Sequence, residues 1–590
     1  MTTLSNTTYD TPTELLSETD EFLISVSLLL PPEEPPAPPG VRIPATVSTE
    51  GELRTAISAN NSPINVAANF TISSVINISG NRDIVIQSLA PNTNTISRAG
   101  NFSSTYMFLV NTGSSLTLSN IALNGMDYDS YSIVANLGTL TVEDGTLIYN
   151  SAFSGVINQG TMYVTGGIFE NNRNTGGGAI FSSKNGILNI SGGIFRNNEA
   201  TLFGGAIYSN NATVNISGGE FTGNKAGRNG GGLGLVNLTT GNIYGTANIH
   251  YNETEEAGGG VTIQNSNVSI YGDVQIANNR TVDYGGGIYS HTTTGFLSNI
   301  AIYDRVNITQ NQAGSGGGIF AFFLNEIQIY GSVSITNNLA TQVDGNGGGI
   351  TLLDQAQATI GENVLVQYNI AFLSGGGIFL FDATLQLSGQ ANISRNMSPQ
   401  GSGVADFGLL QLQDSVLIEK VYLDDPRFLL ELTGPLTSAY IAFELSDYFM
   451  DKDLIVVAQG SSSYPLPTAV DASYFIPPSS GYKSIVYNDT QIAFIRQNEI
   501  TIQFDPNTKN CVTNMPGEIV SLPGLITFPT TIPQRCGYIF IGWGTLPNGG
   551  TIYQPGQTVD LESDTVFYAQ WTASPFSPHC YYRYCYCCCR

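Results

Sequence analysis

The chain has 590 residues, of which 41% are hydrophobic and only 11% charged. It is long enough for a large folded body, and its polar surface must be built mainly from Asn, Ser, Thr and Gln. A formal net charge of -25 argues against nucleic acid as a partner and against adsorption to anionic membranes; an acidic, neutral-polar surface suits an extracellular or cell-surface protein.

Residues 1–40 are expected to form a disordered tail and a linker. Phe22–Leu30 is apolar but too short to span a bilayer, and Glu14, Glu18, Asp20 and Glu21 precede it where a secretion signal needs positive charge. No signal peptide and no membrane-spanning segment is visible. Pro31–Pro39 reads as an extended polyproline spacer. Thr49 and Glu52 have the spacing of a capping box and lead into Leu53–Ile57, a short helix suited to closing the end of a repeat array. Strand-like runs follow at Ile64–Phe70, Asp83–Ile86, Met107–Val110 and Ser115–Ile121.

From about Ser151 to Val404 one phrase recurs: Gly177-Gly178-Ala179-Ile180, Gly204-Gly205-Ala206-Ile207, Gly230-Gly231-Gly232-Leu233, then Gly258–Val261, Gly285–Ile288, Gly316–Ile319, Gly347–Ile350, Gly375–Ile378 and Gly403-Val404. Successive copies are 26 to 31 residues apart. An apolar residue followed three positions later by asparagine keeps the same beat, at Asn172, Asn198, Asn224, Asn252, Asn279, Asn311, Asn338, Asn369 and Asn396, with Asn150 as a forerunner. Between the two phrases lies a third run, as in Leu188-Asn-Ile-Ser-Gly and Val268-Ser-Ile-Tyr-Gly. A fixed period of this size means a solenoid. Three short alternating runs per repeat predict an all-β fold, a parallel β-helix with three strands per coil over 41–404, right-handed by the crossover rule. Leucine-rich repeats lack support because their Leu-x-x-Leu-x-Leu frame is absent. The asparagines are expected to stack into a structural ladder, since an amide both donates and accepts.

The glycine phrases, together with Phe169-x-x-Asn172, Phe195-x-x-Asn198 and Phe221-x-x-Asn224, resemble the polymorphic outer-membrane protein repeats of bacterial surface adhesins. That resemblance implies a surface role. Such proteins usually end in a membrane barrel, and nothing after Val404 looks like one. The runs in 405–497 read as irregular last coils and a C-terminal cap.

Ile500–Asp505, Gly537–Trp543, Tyr553-x-Pro-Gly556 and Phe567–Trp571 resemble the Listeria–Bacteroides repeat, which implies a small β-grasp-like module over 498–573 of the kind found on Gram-positive and related surface proteins. The sequence departs from that pattern at Pro506–Cys511, where the usual Asn-Gly-Gly turn is replaced. Cys511 and Cys536 lie in this module, and sequence alone does not show that they meet. The Cys/Tyr-rich tail, 574–590, offers poor spacing for a metal site.

The β-helix is also the fold of pectate lyases and polygalacturonases, so a polysaccharide lyase or hydrolase is the rival. Such chemistry needs carboxylates clustered on neighbouring coils. Asp273, Asp304, Asp344 and Glu362 are expected at different places in their repeats. Glu253, Glu255 and Glu256 share one loop, and His250 and His291 show no partner. No catalytic, cofactor-binding or metal-binding residue is therefore expected. Tyr244, Tyr271, Tyr303 and Tyr330 recur at the repeat spacing and should point outward, as a candidate binding stripe for a glycan or protein ligand at the cell surface. The competing reading is that they stack on one another to stabilise the rod. A second outward aromatic column is expected at Phe181, Tyr208, Tyr289, Phe320 and Phe379. A passive stalk without ligand is the third reading, and oligomeric state is not legible.

Overall fold

The computed structural model describes residues 42–574 apart from 90–92, 103, 129–131, 294–295, 450–451, 498 and 510. The Phe22–Leu30 run, the proline spacer and the Cys/Tyr-rich tail lie outside the described residues. The chain is nearly all β, about 3% helical, and its main body is a parallel β-solenoid of about 14 turns.

Each coil has a repeating path, illustrated by the turn that begins at Ile180. Ile180–Ser183 forms the first face and pairs in parallel with Ile207–Asn210. Ile187–Ile190 forms the second face over Thr213–Ile216. Ile194–Arg196 forms the third over Glu220–Thr222. Alternation sends Ile180, Leu188, Ile190 and Phe195 into one continuous core. On the third face Phe169, Phe195 and Phe221 are fully buried and stack with centroids 4.8 and 4.7 Å apart, close to the strand spacing that the ladder imposes.

A fourth ladder adds to the three predicted faces. Immediately after the asparagine of each coil, residues such as Lys225–Ala226, Glu253–Thr254 and Arg280–Thr281 make two-residue strands that join Arg173–Gly176 and others in an eight-stranded parallel sheet. This return segment changes the second aromatic column. Phe181, Tyr208, Tyr289, Phe320 and Phe379 do point away from the main core, but they are buried. They form separate apolar clusters with Phe203, Ala257, Tyr284 and Phe407. The chain folding back toward the next glycine pair covers them.

That glycine pair allows the close approach. The first glycine takes positive φ, +66° at Gly285, which only glycine adopts without strain. A Cβ added to the second, Gly286, would stand 2.5 Å from the carbonyl oxygen of Gly317 on the next coil.

At one end the helix Glu50–Ser58 buries Leu53, Ala56 and Ile57. Its N-cap Thr49 hydroxyl accepts from the Glu52 N–H, and the Glu52 carboxylate accepts from the Ser48 N–H at 2.6 Å. At the other end, beyond the irregular strands Val404–Asp414, Leu417–Leu423 and Leu430–Leu436, Leu454–Gly460 pairs antiparallel with Gln491–Arg496. That strand also pairs antiparallel with Tyr482–Tyr487. The parallel stacking stops where the direction reverses.

The C-terminal unit has its own seven-stranded sheet and core. Ile500–Asp505 runs parallel to Thr565–Ala573, which pairs antiparallel with Tyr538–Leu546. Trp543, Phe528 and Phe567 are buried at its centre. At the atypical first turn, Asn507 takes the left-handed conformation at φ 54°. Its amide donates to the carbonyls of Pro547 and Ala569, while the Trp571 indole N–H donates to the Pro506 carbonyl at 2.9 Å.

Candidate functional site

The asparagine column is continuous from Asn172 to Asn396. Each Oδ1 accepts from both the backbone N–H and the Nδ2 of the asparagine one coil before, for example Asn252 N–H and Nδ2 to Asn279 Oδ1, both at 3.0 Å. Each Nδ2 also donates to a backbone carbonyl of the preceding coil, as Asn279 does to Ile249 at 2.9 Å. Donors and acceptors are thus all used, which is what allows a fully buried amide. Asn150 is not a rung. Ser151 N–H donates to Asn172 Oδ1, so Ser151 holds the position and Asn150, at φ 54°, makes the turn before it. A second, shorter buried column has no repeated phrase to mark it in the sequence: Asn136 Nδ2 donates to Asn158 Oδ1 at 2.8 Å, and Asn158 Nδ2 to the Ser182 hydroxyl.

The tyrosine stripe lies where the second face ends and the chain turns toward the third. Tyr244 and Tyr271 stack with centroids 5.1 Å apart and planes 8° from parallel; Tyr271 and Tyr303 stack at 4.9 Å and 2°. Tyr330 lies over Gly361, where an added Cβ would stand 3.0 Å from its ring carbons. All four are half-buried. Both faces of Tyr271 are therefore occupied by neighbouring rings, so it cannot stack on a sugar. What the column presents to solvent is a row of ring edges and hydroxyls.

Beside that row, alternation exposes the outward residues of the second face. Asn242, Ser269, Ala301 and Gln328 form one line, and Thr240, Asn267, Asn299 and Glu326 the next. They line a shallow depression of about 280 Å³, low in the middle because Ser269 and Ala301 are small. Amides bond along the rod here too: Asn299 Nδ2 donates to Asn267 Oδ1 at 3.2 Å, and Asn242 Nδ2 to Asn215 Oδ1 at 2.9 Å.

The acidic residues show a pattern that spacing in the sequence concealed. Asp304 and Glu362 do not fall at different places: both occupy the same left-handed corner position two coils apart, at φ 65° and 53°. Each carboxylate accepts the N–H of the glycine at that corner in the preceding coil, Gly272 at 3.2 Å and Gly331 at 2.7 Å. Gly331 separates them along the corner, so they cap turns and do not pair. Asp273 instead binds Arg305, whose guanidinium holds its carboxyl below the usual range. His250 and His291 also have partners. His250 bonds Glu220 at 3.0 Å and the His291 ring stacks on Phe322 at 5.4 Å.

Two carboxylate pairs reach across adjacent coils: Asp354 and Asp382, where burial and then the Asp382 charge push the Asp354 carboxyl up, and Glu256 with Asp283. Glu256 and Asp283 follow Arg228 in an outward column, with Glu256 bonded to Arg228 at 3.1 Å and Asp283 accepting from Gln342 at 3.3 Å. Burial, and then the charge of Glu256, push the Asp283 carboxyl up. Among the described residues no group of three or more His, Cys, Asp or Glu side chains gathers to hold a metal ion. Among them, too, no helix is long and apolar enough to cross a membrane.

Fold and surface together define a parallel β-solenoid rod followed by a small mixed-sheet unit, its polar surface organised along the rod axis. Family comparison then identifies that unit: the Listeria-Bacteroides repeat domain matches residues 501–570. A search of curated proteins found no match to the chain.

Proposed function

We propose that this is a non-enzymatic, adhesin-like protein of the cell surface or extracellular space, whose rod presents the tyrosine-edged strip to a neutral, hydroxyl-rich glycan. The observation that carries this is the strip itself: over four successive coils it offers amides, hydroxyls and phenols with Glu326 as its one carboxylate. Such a surface hydrogen-bonds a polar chain lying along the axis better than it covers an apolar protein face. The net charge of -25 disfavours polyanionic ligands. Proteins with the Listeria-Bacteroides repeat are typically surface-associated, and the glycine and Phe-x-x-Asn phrases resemble adhesin repeats, which supports the same placement.

The test is retention and product release on a panel of polysaccharides. Retention without release, weakened by Tyr271→Phe as well as by Tyr271→Ala, is expected, because hydroxyls and edges rather than ring faces make the contact. Release of oligosaccharides that Asp283→Asn abolishes would replace this reading with the hydrolase or lyase one. Retention unaffected by either tyrosine change would move the ligand elsewhere on the rod.

A further inference from the structure

The two cysteines of the C-terminal unit are brought together by strand register. Val512–Thr513 pairs antiparallel with Gln534–Arg535, with Val512 opposite Arg535 and Thr513 opposite Gln534. One step further along the same register, Cys511 stands opposite Cys536. Residues facing each other across antiparallel strands have Cβ atoms roughly 4.5–5.5 Å apart, and a disulfide needs roughly 3.5–4.5 Å, within reach of a small adjustment where the chain is turning. Cys536 is followed by Gly537 at φ 78°, and these two residues make the turn that joins Arg535 to Tyr538. Both cysteines are exposed, so an oxidant can reach them.

The location gives the bond a purpose. Val512–Thr513 is the outermost strand of the seven-stranded sheet and pairs only with the two residues Gln534–Arg535. Its ladder is two residue pairs long, and neither Val512 nor Thr513 belongs to the buried core of the unit. An edge held by so few hydrogen bonds opens readily.

We propose that Cys511 and Cys536 form a disulfide that staples this edge. A small-molecule disulfide such as oxidised glutathione is the oxidant. One cysteine thiolate attacks it, forming a mixed disulfide and releasing one glutathione thiolate. The second cysteine thiolate then attacks the protein sulfur of that mixed disulfide, closing the bond and releasing the other. The protein gives up two protons and two electrons, and glutathione takes up the electrons. The pairing rests on register and stands whether or not the surface reading holds, although an oxidising compartment is where such a bond persists.

The experiment treats the full chain with oxidised glutathione, blocks remaining thiols, and maps peptides by mass spectrometry. A linked Cys511–Cys536 peptide is expected, lost on reduction and absent from Cys536→Ser. Hydrogen exchange at Val512 and Thr513 should slow by at least tenfold on oxidation in the unaltered chain and not in that variant. Cys511 or Cys536 found joined to the tail cysteines Cys580–Cys589, carrying glutathione alone, or still open to alkylation would overturn the proposal.

Discussion

The rod and the unit after it bury their interiors in different ways. In the rod, amides from Asn172 to Asn396 sit in the interior with every donor and acceptor used up to the last coil. In the C-terminal unit Trp543 is completely buried, packed 4.7 Å from Phe504 and 5.0 Å from Phe540, and its indole N–H finds no acceptor among the described residues. A stacked coil brings an identical neighbour above and below, so a polar group at one position is met by its own kind. A small non-repeating unit has no such neighbour and must exclude water with large side chains. Repetition makes buried polarity inexpensive, and its absence makes aromatic bulk necessary.

The largest effect should come from removing that bulk. Trp543→Ala is expected to cost about 3–5 kcal/mol, enough to unfold the unit. Hydrogen-exchange mass spectrometry should show protection lost over Ile500–Ala573 and kept in the coils. Loss throughout the chain would mean that rod and unit are one cooperative body.

Asn279→Ala should come next, at about 3 kcal/mol, because it leaves the N–H and Nδ2 of Asn252 without their acceptor. Denaturant melts would read the total, and exchange should localise the damage to the coils on either side, as expected of a quasi-one-dimensional array. An unchanged midpoint would show that the ladder decorates the turn and does not hold it.

Asp406, like Asn136 Oδ1 and Asn346 Oδ1, departs from the full pairing seen in the asparagine column. Its side chain stands in line with Leu380 and Leu423 in the core, with Gly408 N–H as donor to one oxygen and no partner for the other. Burial pushes its carboxyl up to about 7. The folded state therefore holds a proton between about pH 4 and pH 7 that the unfolded chain releases. The stability that this implies is complete below pH 4, falls as pH rises toward 7, and stays low above it. Asp406→Asn should remove the fall, so that stability at pH 8 rises toward its value at pH 4, with little change at pH 4. A variant whose melting curve keeps the full pH dependence would place the cause elsewhere.

Tyr271→Ala should have the smallest effect on stability, about 1–2 kcal/mol for its two stacked contacts on the surface. A loss as large as that from Asn279→Ala would make the tyrosine column a principal support of the rod.

The parts legible in the sequence are those that repetition enforces. The period, the three faces and the asparagine positions could be read because each coil imposes the same demand on the same residue. Asn150 misled because Leu147-x-x-Asn150 imitates the phrase, whereas Ile148 is the residue in register with Phe169, so that Ile148-x-x-Ser151 is the true frame. The fourth ladder escaped because two-residue strands carry no alternation. For Phe181 and Tyr208, alternation gave the direction but not what lies over them. Asp304 and Glu362 were separated by loops of unequal length, which hid their shared corner. The recurrence of the tyrosines is legible, but that their faces close on each other is seen only in the folded chain.

The most direct test of the ladder is residue-resolved hydrogen exchange on the unaltered chain. Backbone N–H groups of Asn172 through Asn369 lie beyond the ends of the third-face strands, where turn amides ordinarily exchange quickly, yet each donates to a side-chain carbonyl one coil on. They should exchange as slowly as Ile276 or Ile308 within the strands. Exchange at the rate of open turns would contradict the account, and the asparagines would then mark the corners without joining the coils.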